Sequence, residues 1–314
     1  MLPHALLVAT AVAGAQILLP AVSRDPGEPT SVPAVRAQAP IALDGRLDER
    51  AWGGVEPITS FTQRMPREGE PASERTEVRV LYDDDALYVG ARLYDRAPDS
   101  VVAQLARRDR AITADRFLVF VDAYHDRRSG FYFGVNAAGT LYDGTLYNDD
   151  WDSDTWDGVW DARVWRDSAG WAAELRVPYS QLRFERREVY VWGVNFKREI
   201  ARRNEQAYHV PRPSNGSGFV SRFAELVGIE RVSPPARLEL LPYLTGRAEY
   251  RGHTNGDPYN DGSRFGSGVG ADLKVGLGSN LTLDATVNPD FGQVEVDPAV
   301  VNLSDVETFF EERR

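Results

Sequence analysis

A chain of 314 residues with 42% hydrophobic and 26% charged side chains has room for one large or two ordinary globular domains. Its net charge of −11 excludes a nucleic-acid backbone as partner, because phosphate binding needs a basic face. The absence of cysteine excludes disulfides, thiolate metal centres and cysteine nucleophiles.

Residues 5–19 form a short apolar run, too short to span a bilayer comfortably, and the small residues at Ala13–Ala15 and Ala21–Ser23 offer signal-peptidase-like sites. This pattern predicts a signal peptide over residues 1–23 and an exported protein. The next stretch is rich in Pro, Ala, Arg and Glu and predicts a disordered linker over 24–39, with order beginning near Ile41. From there to about Arg231 short β-type runs alternate with turn clusters. Residues 77–82 alternate polar and apolar, Asp83, Asp84 and Asp85 make a turn, and 86–93 return, which is a hairpin pattern. Further strands are predicted at 116–122, 130–136, 158–165, 170–177 and 190–200. Only 101–108 and 179–182 have a helical pattern. Many short strands with regular turns predict a β-sandwich over 40–231.

Pro234 and Pro235 mark a boundary. Beyond it, Val269, Ala271, Leu273, Val275 and Leu277 alternate with Gly270, Asp272, Lys274, Gly276 and Gly278. After a turn, Leu281, Leu283, Ala285 and Val287 alternate with Thr282, Asp284, Thr286 and Asn288. In a membrane barrel this is a lipid-out, lumen-in pattern; in a soluble sheet it is core-in, solvent-out. The small, glycine-rich polar face favours the barrel. A few strands cannot close one, so either residues 236–314 are the truncated start of a barrel or these strands pack on the sandwich. A helix is expected from about Ser304.

Two features are candidates for binding. Trp151 and Trp156 lie in a polar segment with Asp150, Asp152, Asp154 and Asp157, where indole faces can stack on sugar rings and carboxylates can bind hydroxyls. Trp160 and Trp171 read as core residues. The acidic turns 83–85 and 149–154 offer hard oxygen ligands at spacing suited to a structural calcium ion, although neither matches an EF-hand loop and solvated turns have the same composition. No catalytic serine elbow, zinc helix or phosphate loop is present, and no catalytic residue is assigned.

The stretch Ile41, Leu43, Asp44, Gly45, Leu47, Asp48, Glu49 and Trp52 resembles the opening of the family-9 carbohydrate-binding modules, and residues 78–95, 115–122 and 170–178 are similar to successive strands of that family. The resemblance implies an immunoglobulin-like antiparallel β-sandwich, and a glycan or oligosaccharide ligand. Segments 124–130, 156–160, 288–295 and 306–314 resemble a group of Gram-negative outer-membrane proteins that carry this module before a β-barrel. That implies an all-β protein in the outer membrane, with lipid around the barrel and the sandwich in the periplasm or at the surface. The sugar clamp of the family's xylanase modules falls, by alignment, near Ile112, on Leu118, Gly134 and Lys197, and near 217–219, with Asn215 close to its counterpart. The clamp side chains themselves are not kept. The ligand-binding expectation therefore rests on Trp151, Trp156, Asp152, Asp154, Lys197 and Asn215. The alternative is a structural or gating domain without sugar binding, or a glycoside-hydrolase-associated module. Hydrolysis of O-glycosyl compounds would follow only from the company such modules keep. A haem-binding branch of the same fold uses Met and Lys as axial ligands; here Met65 lies far from the expected strand.

Overall fold

The computed structural model describes residues 30–234, 238–250, 252, 262–277 and 281–289. The expected leader over 1–23 and the segment 290–314 lie outside the described residues.

Thirteen strands build the main body: β1 (Ser31–Arg36), β2 (Thr62–Met65), β3 (Thr76–Tyr82), β4 (Ala86–Tyr94), β5 (Arg116–Asp122), β6 (Gly130–Asn136), β7 (Leu141–Tyr147), β8 (Trp151–Ser153), β9 (Asp161–Asp167), β10 (Gly170–Pro178), β11 (Val189–Ile200), β12 (Glu205–Tyr208) and β13 (Ala224–Glu230). One layer runs β8–β7–β6–β5–β11–β13, with β12 on the C-terminal half of β11 and β2 beyond β12. The other runs β3–β4–β10–β9. Alternate residues of each strand point to opposite faces. Phe117, Val119, Phe133, Val135, Val194 and Phe196 of the first layer therefore meet Val78, Val80, Val89, Ala91, Trp171 and Leu175 of the second in one buried core. Trp160 and Trp171 are both buried, as expected.

The two layers are joined by β1. Ser31, Val32 and Pro33 pair in parallel with β13, and Ala34, Val35 and Arg36 pair in parallel with β3. Val32 and Ala34 are buried, and Arg36 donates to the Glu230 carbonyl (2.8 Å) and the Asp84 carboxylate (2.6 Å). The expected linker over 24–39 is corrected here, since order begins at least ten residues before Ile41. The composition concealed a six-residue strand in which Pro33 takes an exposed position between buried Val32 and Ala34. Residues 101–108 are also not helical. Their backbone groups are held by other segments, with Ala106 N–H donating to Thr140 Oγ1 (3.0 Å) and the Gln104 carbonyl accepting from Asn136 Nδ2 (2.7 Å).

A short helix, α1 (Arg50–Gly53), lays Trp52 on the outer face of the second layer. Here the opening motif has a physical explanation. The indole N–H of Trp52 donates to one oxygen of buried Glu174 (3.1 Å), and the amides of Asp44 and Gly45 donate to the other (3.0 Å each). Gly45 has φ +87°, and a Cβ there would stand 2.9 Å from the Val164 backbone, so the turn accepts only glycine.

The remaining strands form a separate antiparallel sheet: β14 (Leu238–Tyr250), β15 (Ser263–Leu277) and β16 (Leu281–Val287). The register sets Leu238, Val275 and Leu283 in one row, Leu240, Leu273 and Ala285 in the next, and Pro242, Ala271 and Val287 in a third. Leu238, Leu240, Leu244, Val269, Leu283 and Val287 are each at least half exposed, so this apolar face is not packed on the sandwich. The opposite face carries Glu239, Tyr243, Arg247, Lys274 and Asp284, with the Tyr243 ring lying against Gly270.

Candidate functional site

The outer face of the first layer is concave. Strand alternation turns Leu118 and Phe120 of β5, Tyr132 of β6, Tyr142 and Leu146 of β7, and Lys197 and Glu199 of β11 to the same side, together with Tyr208 of β12. These residues line a cleft of about 230 Å³. Its rim comes from the Asp109–Ala111 segment, the acidic segment with Asp150, Asp152 and Asp154, and Arg212 and Phe219.

Two glycines shape the floor. A Cβ at Gly144 would stand 2.2 Å from the Ser153 carbonyl and 2.6 Å from the Tyr132 hydroxyl, so its absence lets the tyrosine lie across β7. A Cβ at Gly134 would stand 2.9 Å from Leu118 Cγ. Behind the floor, Phe219 meets Phe120 edge-on (4.9 Å, 83°) and Tyr208 likewise (6.0 Å, 84°). This fixes an aromatic wall on rigid strands.

The polar groups at one end of the cleft are tied together, with one carboxylate between two cations. Glu199 is buried and ion-pairs with both Arg116 and Lys197. Burial works against its ionisation, yet the two cations outweigh it and hold the carboxyl below its ordinary value. The Arg116 guanidinium lies over the Tyr142 ring (5.2 Å) and the Lys197 ammonium over the Tyr208 ring (5.4 Å). Arg212 stacks over Phe219 (4.3 Å) and reaches the Asp150 carbonyl (3.3 Å). Burial raises the Tyr132 phenol above its ordinary value, and the negative charges of Asp152 and Asp154 add to this, so the hydroxyl stays protonated.

Of the residues singled out from sequence, Asp152, Asp154 and Lys197 line this cleft; Trp151, Trp156 and Asn215 do not. The pairing of β7 with β8 gives the reason. Asp152 stands opposite Leu146 on the cleft side, whereas Trp151 stands opposite Tyr147 and points the other way. Trp151 is 59% exposed and, among the described residues, meets the Tyr147 ring alone of the aromatics (5.8 Å). Trp156 packs against Phe131 (4.9 Å) and Phe133 (6.1 Å) and faces a different hollow, with Gln181 and Tyr147. Asn215 is exposed in the segment between β12 and β13. By contrast, Leu118, Lys197 and Phe219, three of the positions given by the clamp alignment, do converge here. Tyr132, Tyr142, Tyr208, Arg116, Glu199 and Arg212 were missed, because only strand register brings them together. A signal was present in Asn195, Lys197 and Glu199, polar residues at every second position in the second half of β11.

The first aspartate of each acidic turn is committed to backbone amides. Asp83 Oδ1 accepts from the amides of Asp85 and Ala86 (2.8 Å each), and Asp149 accepts from the amides of Phe219 (3.0 Å) and Ser221 (2.8 Å). Among the described residues, carboxylates converge as a group of three at Asp109, Asp143 and Asp157 instead. A cation already sits there, since Arg108 donates to Asp143 (2.7 Å) and lies 3.5 Å from Asp109 and 3.4 Å from Asp157. Burial, aided by the charges of Asp143 and Asp157, pushes the Asp109 carboxyl up to about 6.

The sequence matches the family model described as "Carbohydrate family 9 binding domain-like" over residues 43–206, which is more than half of the chain. The chain belongs to the carbohydrate family 9 binding domain-like family. A second model, a domain of unknown function (DUF5916), matches residues 234–314. Among solved structures, this family 9-like chain is similar to a protein of Bacteroides uniformis ATCC 8492 put forward as carbohydrate-binding, with 12% identity, 64% of this chain and 99% of that chain covered, and a TM-score of 0.51. It is also similar to a family 9 carbohydrate-binding module from Caldicellulosiruptor kristjanssonii, seen in complex with cellotriose, at 18% identity, 64% and 95% coverage and a TM-score of 0.46. The same module in complex with glucose gives a TM-score of 0.47 at 18% identity, with 64% and 97% covered. No curated protein matches the chain.

Proposed function

We propose that the cleft over β5, β6, β7 and β11 binds a carbohydrate, and that the protein is a binding module rather than a catalyst. The carrying observation is the cleft itself: rigid aromatic walls from Tyr132, Tyr208 and Phe219, with the Arg116–Glu199–Lys197 triad fixed at one end. Sugar recognition needs this combination, an apolar surface for the C–H face of the ring and oriented donors and acceptors for its hydroxyls. Family membership supports the reading. The ligands of the Caldicellulosiruptor module supply the first probes. Calorimetric titration of the full chain with cellotriose and glucose tests it. Binding is expected in the wild type, with a loss of about tenfold or more in Tyr132→Ala and little change in Trp151→Ala. Loss in Trp151→Ala with no loss in Tyr132→Ala would move the site away from the cleft.

The second part of the proposal concerns location. The protein is exported, and β14–β16 open an outer-membrane β-barrel whose apolar rows face lipid. The exposed leucines and valines of those rows support this, because such a face in water would be an aggregation liability. Fractionation of the expressed protein tests it. Retention in the outer-membrane pellet after an alkaline wash is expected; release into the soluble periplasmic fraction would contradict it.

A further inference from the structure

The charges around the cleft are not equally available. Its lining contains three cations, and each is engaged: Arg116 and Lys197 with Glu199, and Arg212 with Phe219 and Asp150. Asp150 also accepts from the Gly218 amide (2.7 Å), and Asp109 accepts from the Asp143 amide (2.8 Å) beside Arg108. Asp152 and Asp154 differ. Both are exposed, both line the cleft, and neither makes a hydrogen bond or ion pair among the described residues. The β7–β8 register holds Asp152 on the cleft side, opposite Leu146. Their field is felt across the opening, where it helps keep the Tyr132 phenol protonated. The cleft therefore presents paired charge at the Glu199 end, where two cations share one carboxylate, and uncompensated negative charge at the opposite rim.

We infer that the ligand is a saccharide carrying a protonated amine, an amino sugar with a free amino group, whose ammonium is met by Asp152 and Asp154. This rests on the reading of the cleft as a carbohydrate site and adds its class of ligand. A neutral sugar can donate hydroxyls to the pair but gains no charge attraction from it, and a uronic acid is repelled by it. Two exposed carboxylates close to one ammonium give about fivefold tighter binding each at low ionic strength, falling as salt screens them.

The test is calorimetric titration of the full chain, in detergent at mildly acidic pH, with four trimers: glucosamine, N-acetylglucosamine, cellotriose and galacturonic acid. The amine trimer is expected to bind at least tenfold more tightly than the acetylated or neutral trimer, and the acidic trimer most weakly. In the double variant Asp152→Asn, Asp154→Asn the ratio of amine to neutral affinity should fall to about one. In Asp152→Lys it should invert in favour of the acidic trimer. High salt should remove the preference in the wild type. Equal binding of amine and neutral trimers, or a preference that survives the double variant, would overturn the inference while leaving the cleft a sugar site. Binding of none of the four would overturn the carbohydrate reading itself.

Discussion

Replacing Glu199 by Gln tests the electrostatic account of the cleft. The carboxylate is buried and faces two cations, so Gln removes the negative charge that both Arg116 and Lys197 contact, while keeping shape and one acceptor. Breaking a buried ion pair from one side costs about 3–5 kcal/mol. Here the partner side chains are 26% and 14% exposed and partly screened by water, so about 2 kcal/mol is expected. The pH dependence follows from the depressed carboxyl. Glu199 stabilises the fold fully above its unfolded value of 4.5, and that stabilisation is lost as the pH falls through the lower folded value. Urea unfolding of wild type and variant, followed by fluorescence of buried Trp171 and Trp192, should therefore show a gap of about 2 kcal/mol at neutral pH. The gap should close well below pH 4.5. No gap at neutrality, or a gap unchanged in acid, would refute the reasoning.

Three further outcomes follow. Gly144→Val should push Tyr132 off β7 and displace the Ser153 carbonyl, costing about 1–3 kcal/mol in denaturant unfolding and abolishing measurable sugar binding. A fragment beginning at Pro40, where composition alone would place the start of order, should be at least about 3 kcal/mol less stable than one beginning at Thr30. It loses buried Val32 and opens an edge on both layers, and hydrogen exchange on β3 and β13 should reveal this. Asp109→Asn should be more stable than wild type at neutral pH. A carboxyl whose folded value is raised to about 6 favours its protonated form in the fold, so it destabilises as the pH rises from 3.8 through 6, and the gain should vanish in acid urea titrations.

The layers were readable from sequence where each strand carried its own pattern. The hairpin of β3 and β4, and strands β5, β6, β10 and β11, follow directly from runs and turns. β1 was hidden because six residues containing a proline do not establish a period. β7 was hidden because its turn is made by a side chain: Asn136 Oδ1 accepts from the amides of Ala138 and Thr140 (2.9 Å each). The turn after β5 is similar, where Asp122 accepts from the amides of His125 (2.6 Å) and Arg127 (2.9 Å), both at φ +58°. The motif around it is therefore a turn device. The site was only half readable. Aromatic composition pointed to Trp151, but a strand's two-residue period turned that side chain away and turned Asp152 in. Tyr132, Glu199 and Phe219 are distant in sequence, and only the β5–β6 and β5–β11 registers with the segment after β12 bring them to one cleft.

The most direct test of the carbohydrate site is a crystal structure of the protein soaked with a saccharide trimer, neutral or amine-bearing. The account predicts a sugar ring in the cleft against Tyr132, with hydroxyls reaching the Arg116–Glu199–Lys197 triad. A sugar bound instead at Trp151 or in the Trp156 hollow, with the cleft filled only by water, would contradict it.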